Sequence, residues 1–183
     1  MSRITAIAPE TATGHTKDLL DAVKAKLGIV PNLMRGLANS AAALDACLQF
    51  SGKLADGLLS AKTREQIALT VGQENGCDYC VAAHCTLGKM AGLTPEQIRD
   101  GRMGTAIDPK TAAILKFSRE LVKVRGLVSD ADVDDVRRAG ATDGEIAEVV
   151  ANVALNIFTN YFNHVAGTVI DFAKPDVLCA ANC

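Results

Sequence analysis

Apolar positions in this chain recur every three or four residues, the spacing that stacks side chains along one face of an α-helix. Leu19, Leu20, Val23 and Leu27 make a first stripe, closed by Gly28 and by Pro31, which disfavours helical backbone at the residue before it. Leu44, Cys47, Leu48, Ser51, Leu54 and Ala55 make a second, in which Cys47 reads as a small core side chain. Ile114, Leu115, Ser118, Leu121 and Val122 give a buried face to a later helix, and Ile146, Val149, Val150, Val153 and Ile157 to the last long one. Start signals fall between the stripes. Ser60 precedes AKTREQIALTV, Thr94 with Pro95 and Gln97 forms a capping box, Asp108 and Pro109 open the next helix, and Thr142 with Glu145 opens the last. No alternating or β-branched run bounded by turns reads as a strand. The pattern therefore predicts an all-α fold, a compact multi-helix bundle in one domain over residues 1–183. Residues 1–14 form an N-terminal arm, MGTAIDPK at 103–110 a loop, and residues 175–183 a mobile tail.

Composition narrows the function. With 183 residues, 49% hydrophobic and 22% charged, the chain suits one globular domain with a sizeable core. A net charge of -2 and the lack of any Lys/Arg block argue against a nucleic-acid partner. The most apolar long segment, IAEVVANVALNIFTNYFNHV, carries Glu148, Asn152, Asn156, Asn160 and Asn163, each costly in hydrocarbon, so no membrane span is expected. The N-terminal MSRITAIAPETATGHTKD lacks the apolar core of a secretion signal. A cytoplasmic protein is the expectation, and its six cysteines then read as reduced thiols, any disulfide among them being chemical rather than structural.

The stretch GCDYCVAAHCTLG, residues 76–88, holds the chemistry. Asn75 and Gly76 stop one helix, and Cys77 lies at the start of the next. On a regular helix Cys77, Cys80 and His84 share a face, and only Cys80 is the (i, i+4) neighbour of the imidazole. A helix N-terminus and a nearby histidine both favour thiolate, and Cys80 stands to gain from both. Cys85 is rotated about 140° from Cys80 and faces away. Two carboxylates precede the turn. If the flanking helices fold back on each other, Glu65 lies about 16 Å behind the turn and His84 about 12 Å beyond it, nearly level. Glu65 is then the partner for the ring, directly or through a water. Glu74 sits beside the turn, either near the first amides of the cysteine helix or on a solvated face, and the second is the better reading.

Three readings of the cysteine pair stand side by side: a metal clip, two small core residues, or a redox dithiol. Zinc takes four ligands, whereas Cys77, Cys80 and His84 supply three, and Cys179 and Cys183 at the end of the chain are the one further pair. Covalent haem attachment places a histidine directly after the second cysteine, where this chain has Val81. The redox reading leads, with neither metal nor cofactor. His164, on the final helix one turn after Asn160, reads first as a hydrogen-bonded core or interface residue and second as a pocket residue. His15 has no evident partner.

Glu65, eleven residues, Cys77, two residues, Cys80, three residues and His84 together resemble the signature of the AhpD-like alkyl hydroperoxidases in the carboxymuconolactone decarboxylase superfamily. The segment NYFNHVAGTVIDF resembles the final helix of the peroxidase-related branch. The resemblance implies a helical, homo-oligomeric thiol peroxidase that reduces hydroperoxides. Cys80 is then the thiol oxidised to sulfenic acid, Cys77 its disulfide partner, and His84 with Glu65 a proton relay. It also implies a dithiol reductant, lipoyl-bearing or thioredoxin-like. Tyr79 departs from the pattern, since better-studied members often carry a histidine just before the second cysteine. The decarboxylase branch generally lacks the cysteine pair, which argues against lactone decarboxylation. A protein disulfide oxidoreductase or redox sensor using the same pair, and a non-enzymatic helical module with a structural metal site, are the alternatives.

Overall fold

The computed structural model describes residues 2–175 and residue 178. Among these it contains nine helices and no strand: α1 (Gly14–Leu27), α2 (Asn32–Leu37), α3 (Ala41–Ala55), α4 (Ala61–Glu74), α5 (Asp78–Met90), α6 (Pro95–Met103), α7 (Pro109–Lys123), α8 (Asp130–Arg138) and α9 (Asp143–Ala166). No helix of the described residues is long and apolar enough to cross a membrane.

The predicted starts are present as hydrogen bonds. Ser60 caps α4, Asp108 caps α7, and Thr94/Gln97 and Thr142/Glu145 form reciprocal capping boxes on α6 and α9. Helices α2 and α8 are additions to the predicted set. A third capping box, Ser129 with Asp132, starts α8, which packs only Val136 and the partly buried Val133 against the core and so leaves too short an apolar stripe to read.

Helix α4 is the axis of the bundle. Its residues 66–72 are all buried, because α5, α6, α7 and α9 pack around it. A helix enclosed on all sides cannot show a one-sided apolar pattern, and its polar members must find partners inside. Thr70 does so, donating to the carbonyls of Gln66 and Gly101 at 3.0 and 2.6 Å. Ile67 and Val71 join Leu115, Phe117 and Leu121 of α7, Val136 of α8, and Val149 and Val153 of α9 in the main core. A second core forms where Leu20, Leu37, Leu44 and Cys47 of α1 to α3 meet Leu155 and Phe162 of α9. Burial pushes the Cys47 thiol up to about 11.

The stripe on α9 needs one correction. Val150 is exposed, because Val149 and Val153 face the core and position 150 is turned about 100° from the first of them. On α3, Ser51 and Ala55 are likewise exposed, and burial is confined to Leu44 and Cys47.

The N-terminal arm lies across the far end of α9, with Arg3 and Ile4 donating backbone N–H to Ala166 O and Ile7 to Arg35 O. The chain leaving α9 turns back over α2. There Asp171 Oδ2 accepts from Asn32 N at 2.7 Å, and Val169 O accepts from Asn32 Nδ2 at 3.0 Å. Cys179 and Cys183, and all of the predicted tail except residues 175 and 178, lie outside the described residues.

Candidate active site

The α4–α5 hairpin builds the site. Asn75 closes α4, and Gly76 turns the chain at φ +64°, a backbone conformation that favours glycine. Cys77 then occupies the N-cap of α5, one position before the first helical residue, and its N–H donates to Gly72 O at 2.9 Å. Gly72 also lets the helices approach closely: a Cβ there would sit 3.4 Å from Cys80 Cβ.

Cys77 and Cys80 are bonded as a disulfide, their Cα atoms 5.3 Å apart. Cys77 Sγ accepts from Cys80 N at 3.3 Å, so one sulfur of the pair caps the helix and faces its positive end. Two turns of α5 and the antiparallel run of α4 bring His84 and Glu65 together, Nδ1 to Oε2 at 2.8 Å. Both side chains are about four-fifths buried, at 21% and 22% exposure. The hydrogen bond of His84 goes to Glu65 rather than to either cysteine.

Sulfur of Cys80 is held from another direction. Asn163 on α9 donates from Nδ2 to Cys80 Sγ at 3.3 Å. The pair is buried, Cys77 at 1% and Cys80 at 3% exposure, in a cluster with Tyr79 and Ala83 against which Leu33, Ile170 and Phe172 pack. Tyr79 pins this cover. Its ring meets Phe172 edge-on at a centroid distance of 5.7 Å, and its hydroxyl accepts from Leu33 N at 3.1 Å. Burial above all, with Asp171 nearby, pushes the phenol far above its ordinary range and keeps it neutral.

The remaining candidates fall elsewhere. Glu74 is exposed and pairs with Arg119 of α7 at 3.6 Å, not with the start of α5, because the end of α4 lies alongside α7. Cys85 faces away from the disulfide among Leu69, Val81, Leu93 and Ile98. His15 lies 3.8 Å from Asp45. His164 is exposed, so it neither lines the site nor joins the core; its neighbour Asn163 is the inward residue. Sequence reasoning missed Asn163, Leu33 and the 169–172 segment. The available signal was the spacing Asn152, Asn156, Asn160, Asn163, a polar stripe on the same face as Val149 and Val153. Among the described residues no group of three or more His, Cys, Asp or Glu is placed to hold a metal ion.

Residues 41–123, which contain α3 to α7 and the whole Glu65–Cys77–Cys80–His84 set, match the model of the carboxymuconolactone decarboxylase family. The likeness to that family thus covers just under half of the chain. Its AhpD-like fold is shared with solved structures over nearly the full length. An uncharacterized peroxidase-related protein with an alkylhydroperoxidase AhpD core from Ralstonia eutropha JMP134 is 24% identical, with a TM-score of 0.84 over 93% of this chain and 92% of that one. A second uncharacterized peroxidase-related protein, from Silicibacter sp. TM1040, is 22% identical, with a TM-score of 0.78 over 91% and 92%. The debrominase Bmp8, in a substituted form complexed with 2,3,4-tribromopyrrole, is 14% identical, with a TM-score of 0.81 over 93% and 92%. No curated protein matches the chain. The cysteine pair and its Glu/His neighbours lie inside the segment that resembles the family.

Proposed function

We propose that this protein is a thiol-dependent peroxidase of the peroxidase-related branch, reducing hydroperoxides through Cys80 and Cys77. The observation that carries the reading is the Cys77–Cys80 disulfide at the start of α5, with a His84–Glu65 pair on the same hairpin. In the reduced enzyme the Cys80 thiolate attacks the hydroxyl-bearing oxygen of the peroxide. The O–O bond breaks, Cys80 becomes a sulfenic acid, and the departing alkoxide takes a proton through His84 to leave as an alcohol. Glu65 faces Nδ1, which fixes that nitrogen as the one carrying hydrogen toward the carboxylate and leaves Nε2 for proton exchange. Cys77 then condenses with the sulfenic acid, forming the disulfide and releasing water. A dithiol, lipoyl-bearing or thioredoxin-like, returns the pair to thiols and is itself oxidised. A homo-oligomer working in the cytoplasm with neither metal nor cofactor completes the reading.

Burial supports a small oxidant over a protein disulfide: Cys77 and Cys80, at 1% and 3% exposure, offer a folded protein little surface to attack, whereas a hydroperoxide needs only a narrow opening, and of the two reductants a slender lipoyl arm fits that opening better than a thioredoxin-like fold. That weighs against the disulfide oxidoreductase alternative. A thiol pair could also supply the two electrons for reductive loss of bromide and end as a disulfide, so the debrominase neighbour provides a competing substrate class for the test. The deciding experiment supplies reduced protein and dihydrolipoamide with cumene hydroperoxide, 2,3,4-tribromopyrrole or oxidised insulin in parallel. Rapid turnover of the hydroperoxide alone is the expected result; turnover of insulin or the bromopyrrole with the peroxide untouched overturns the reading.

A further inference from the structure

Buried amides are expected to satisfy both of their polar ends, and departures call for an explanation. On α9 the carboxamides meet that expectation unevenly. Asn152 Nδ2 donates to Glu148 O and Asn156 Nδ2 to Asn152 O, both at 2.8 Å, and Asn160 Oδ1 accepts from Asn75 Nδ2 at 2.9 Å while its own Nδ2 is buried without a partner. Asn163 differs. It is 5% exposed, its Nδ2 is committed to Cys80 Sγ, and its Oδ1 is buried without any partner. The unpaired acceptor therefore belongs to the same carboxamide that holds the reacting sulfur.

We propose that Asn163 is a further catalytic residue of this site: its Nδ2 steadies the Cys80 thiolate, and its Oδ1 accepts the O–H of the incoming hydroperoxide. The assignment rests on the peroxidase reading and deepens it by naming the group that receives the substrate. A disulfide sulfur is a weak acceptor and a thiolate a strong one, so the Nδ2–H bond strengthens in the state that reacts. A hydroperoxide has a single O–H donor, and it sits on the oxygen that thiolate attacks. An acceptor one carbon away from the donor gripping the sulfur brings that oxygen into near-attack range. The bookkeeping of atoms is simple. As the S–O bond forms and the O–O bond breaks, the hydrogen stays on the transferred oxygen, so Oδ1 accepts from the peroxide before the step and from the sulfenic acid after it. Asn163 neither gives nor takes a proton.

Three variants separate the two ends of the amide. Asn163→Asp keeps the shape and the acceptor but sets an oxygen where the donor stood, Asn163→Ala removes both, and Asn163→Ser keeps a small hydroxyl that serves if alanine fails to fold. Reduced wild type and variants are pulsed with iodoacetamide across pH, and Cys80 labelling is read by peptide mass. The expected result is a labelling midpoint about one to two pH units higher in the aspartate and alanine variants. Cys80 oxidation by cumene hydroperoxide should fall about ten- to a hundredfold in both, further in alanine than the labelling shift alone accounts for. A third readout needs no substitution: the Asn163 side-chain amide resonances of the reduced wild type should titrate with the Cys80 midpoint. Unchanged midpoints, or amide resonances indifferent to the ionisation of Cys80, overturn the proposal. The labelling and the resonances involve no peroxide. If they respond as expected while wild type ignores every hydroperoxide, it is the peroxidase reading that fails, and the Oδ1 assignment with it.

Discussion

Phe172→Ala tests whether the segment after α9 gates the redox pair. The disulfide is buried, at 1% and 3% exposure, and Leu33, Ile170 and Phe172 pack over it. A reducing thiolate must approach along the S–S axis, so reduction proceeds from an opened form of this cover. What holds the cover can be summed: the Tyr79–Phe172 edge-to-face pair at 5.7 Å and two hydrogen bonds from Asn32, to Asp171 and to Val169. An aromatic pair contributes about 1 kcal/mol beyond its buried area. Removing it raises the opened population, and with it the reduction rate, about fivefold, while the Asn32 bonds keep the segment in place. The assay adds dithiothreitol to the oxidised protein, quenches aliquots with iodoacetamide and follows Cys77 and Cys80 labelling by mass. Urea unfolding of the oxidised protein checks that global stability has not collapsed. Reduction at the wild-type rate, or slower, refutes the gating argument.

Cys80→Ser should abolish both disulfide formation and peroxide turnover, whereas Cys77→Ser should retain one turnover and leave a sulfenic acid that dimedone traps. His84→Gln is expected to lower turnover about a hundredfold with the helical circular dichroism unchanged, and an unaltered pH–rate profile would remove the relay. Cys47, raised to about 11 from 9.0 by burial, stays protonated in the fold where the unfolded chain ionises. Its contribution to stability is therefore full below about pH 9 and is lost as pH climbs toward 11, an effect of roughly 2–3 kcal/mol that Cys47→Ala should eliminate from a stability–pH curve. Leu115→Ala, at a fully buried position between α4 and α9, should cost about 2–5 kcal/mol in urea unfolding.

Much of the site could be read from spacing because it is local. Cys77, Cys80 and His84 lie on one helix, and Glu65 follows once α4 and α5 are folded into a hairpin with a known rise per residue. The caps of α4, α6, α7 and α9 were equally legible, each being a short-range hydrogen bond between residues a turn apart. What escaped was long-range or faceless. Asn163 meets Cys80 across 83 positions, and nothing near either residue announces the encounter. His164 drew attention by its chemistry, yet one residue on a helix is 100° of rotation, enough to turn histidine outward and asparagine in. Helix α8 packs through Val133 and Val136 alone, a single (i, i+3) pair in nine residues, too short a pattern to stand out. Val150 was misplaced because a stripe of apolar residues is wider than the strip of helix surface that α4 covers.

The central claim is a two-electron exchange between a hydroperoxide and one pair of thiols, and it is tested most directly by titrating fully reduced protein with cumene hydroperoxide while mapping cysteines by mass. The account predicts one equivalent of peroxide consumed and one equivalent of alcohol formed per chain. It also predicts that two hydrogens are lost at a Cys77–Cys80 crosslink, with Cys47 and Cys85 unmodified. Peroxide left unreduced, or consumed with oxidation distributed over other cysteines, would contradict it.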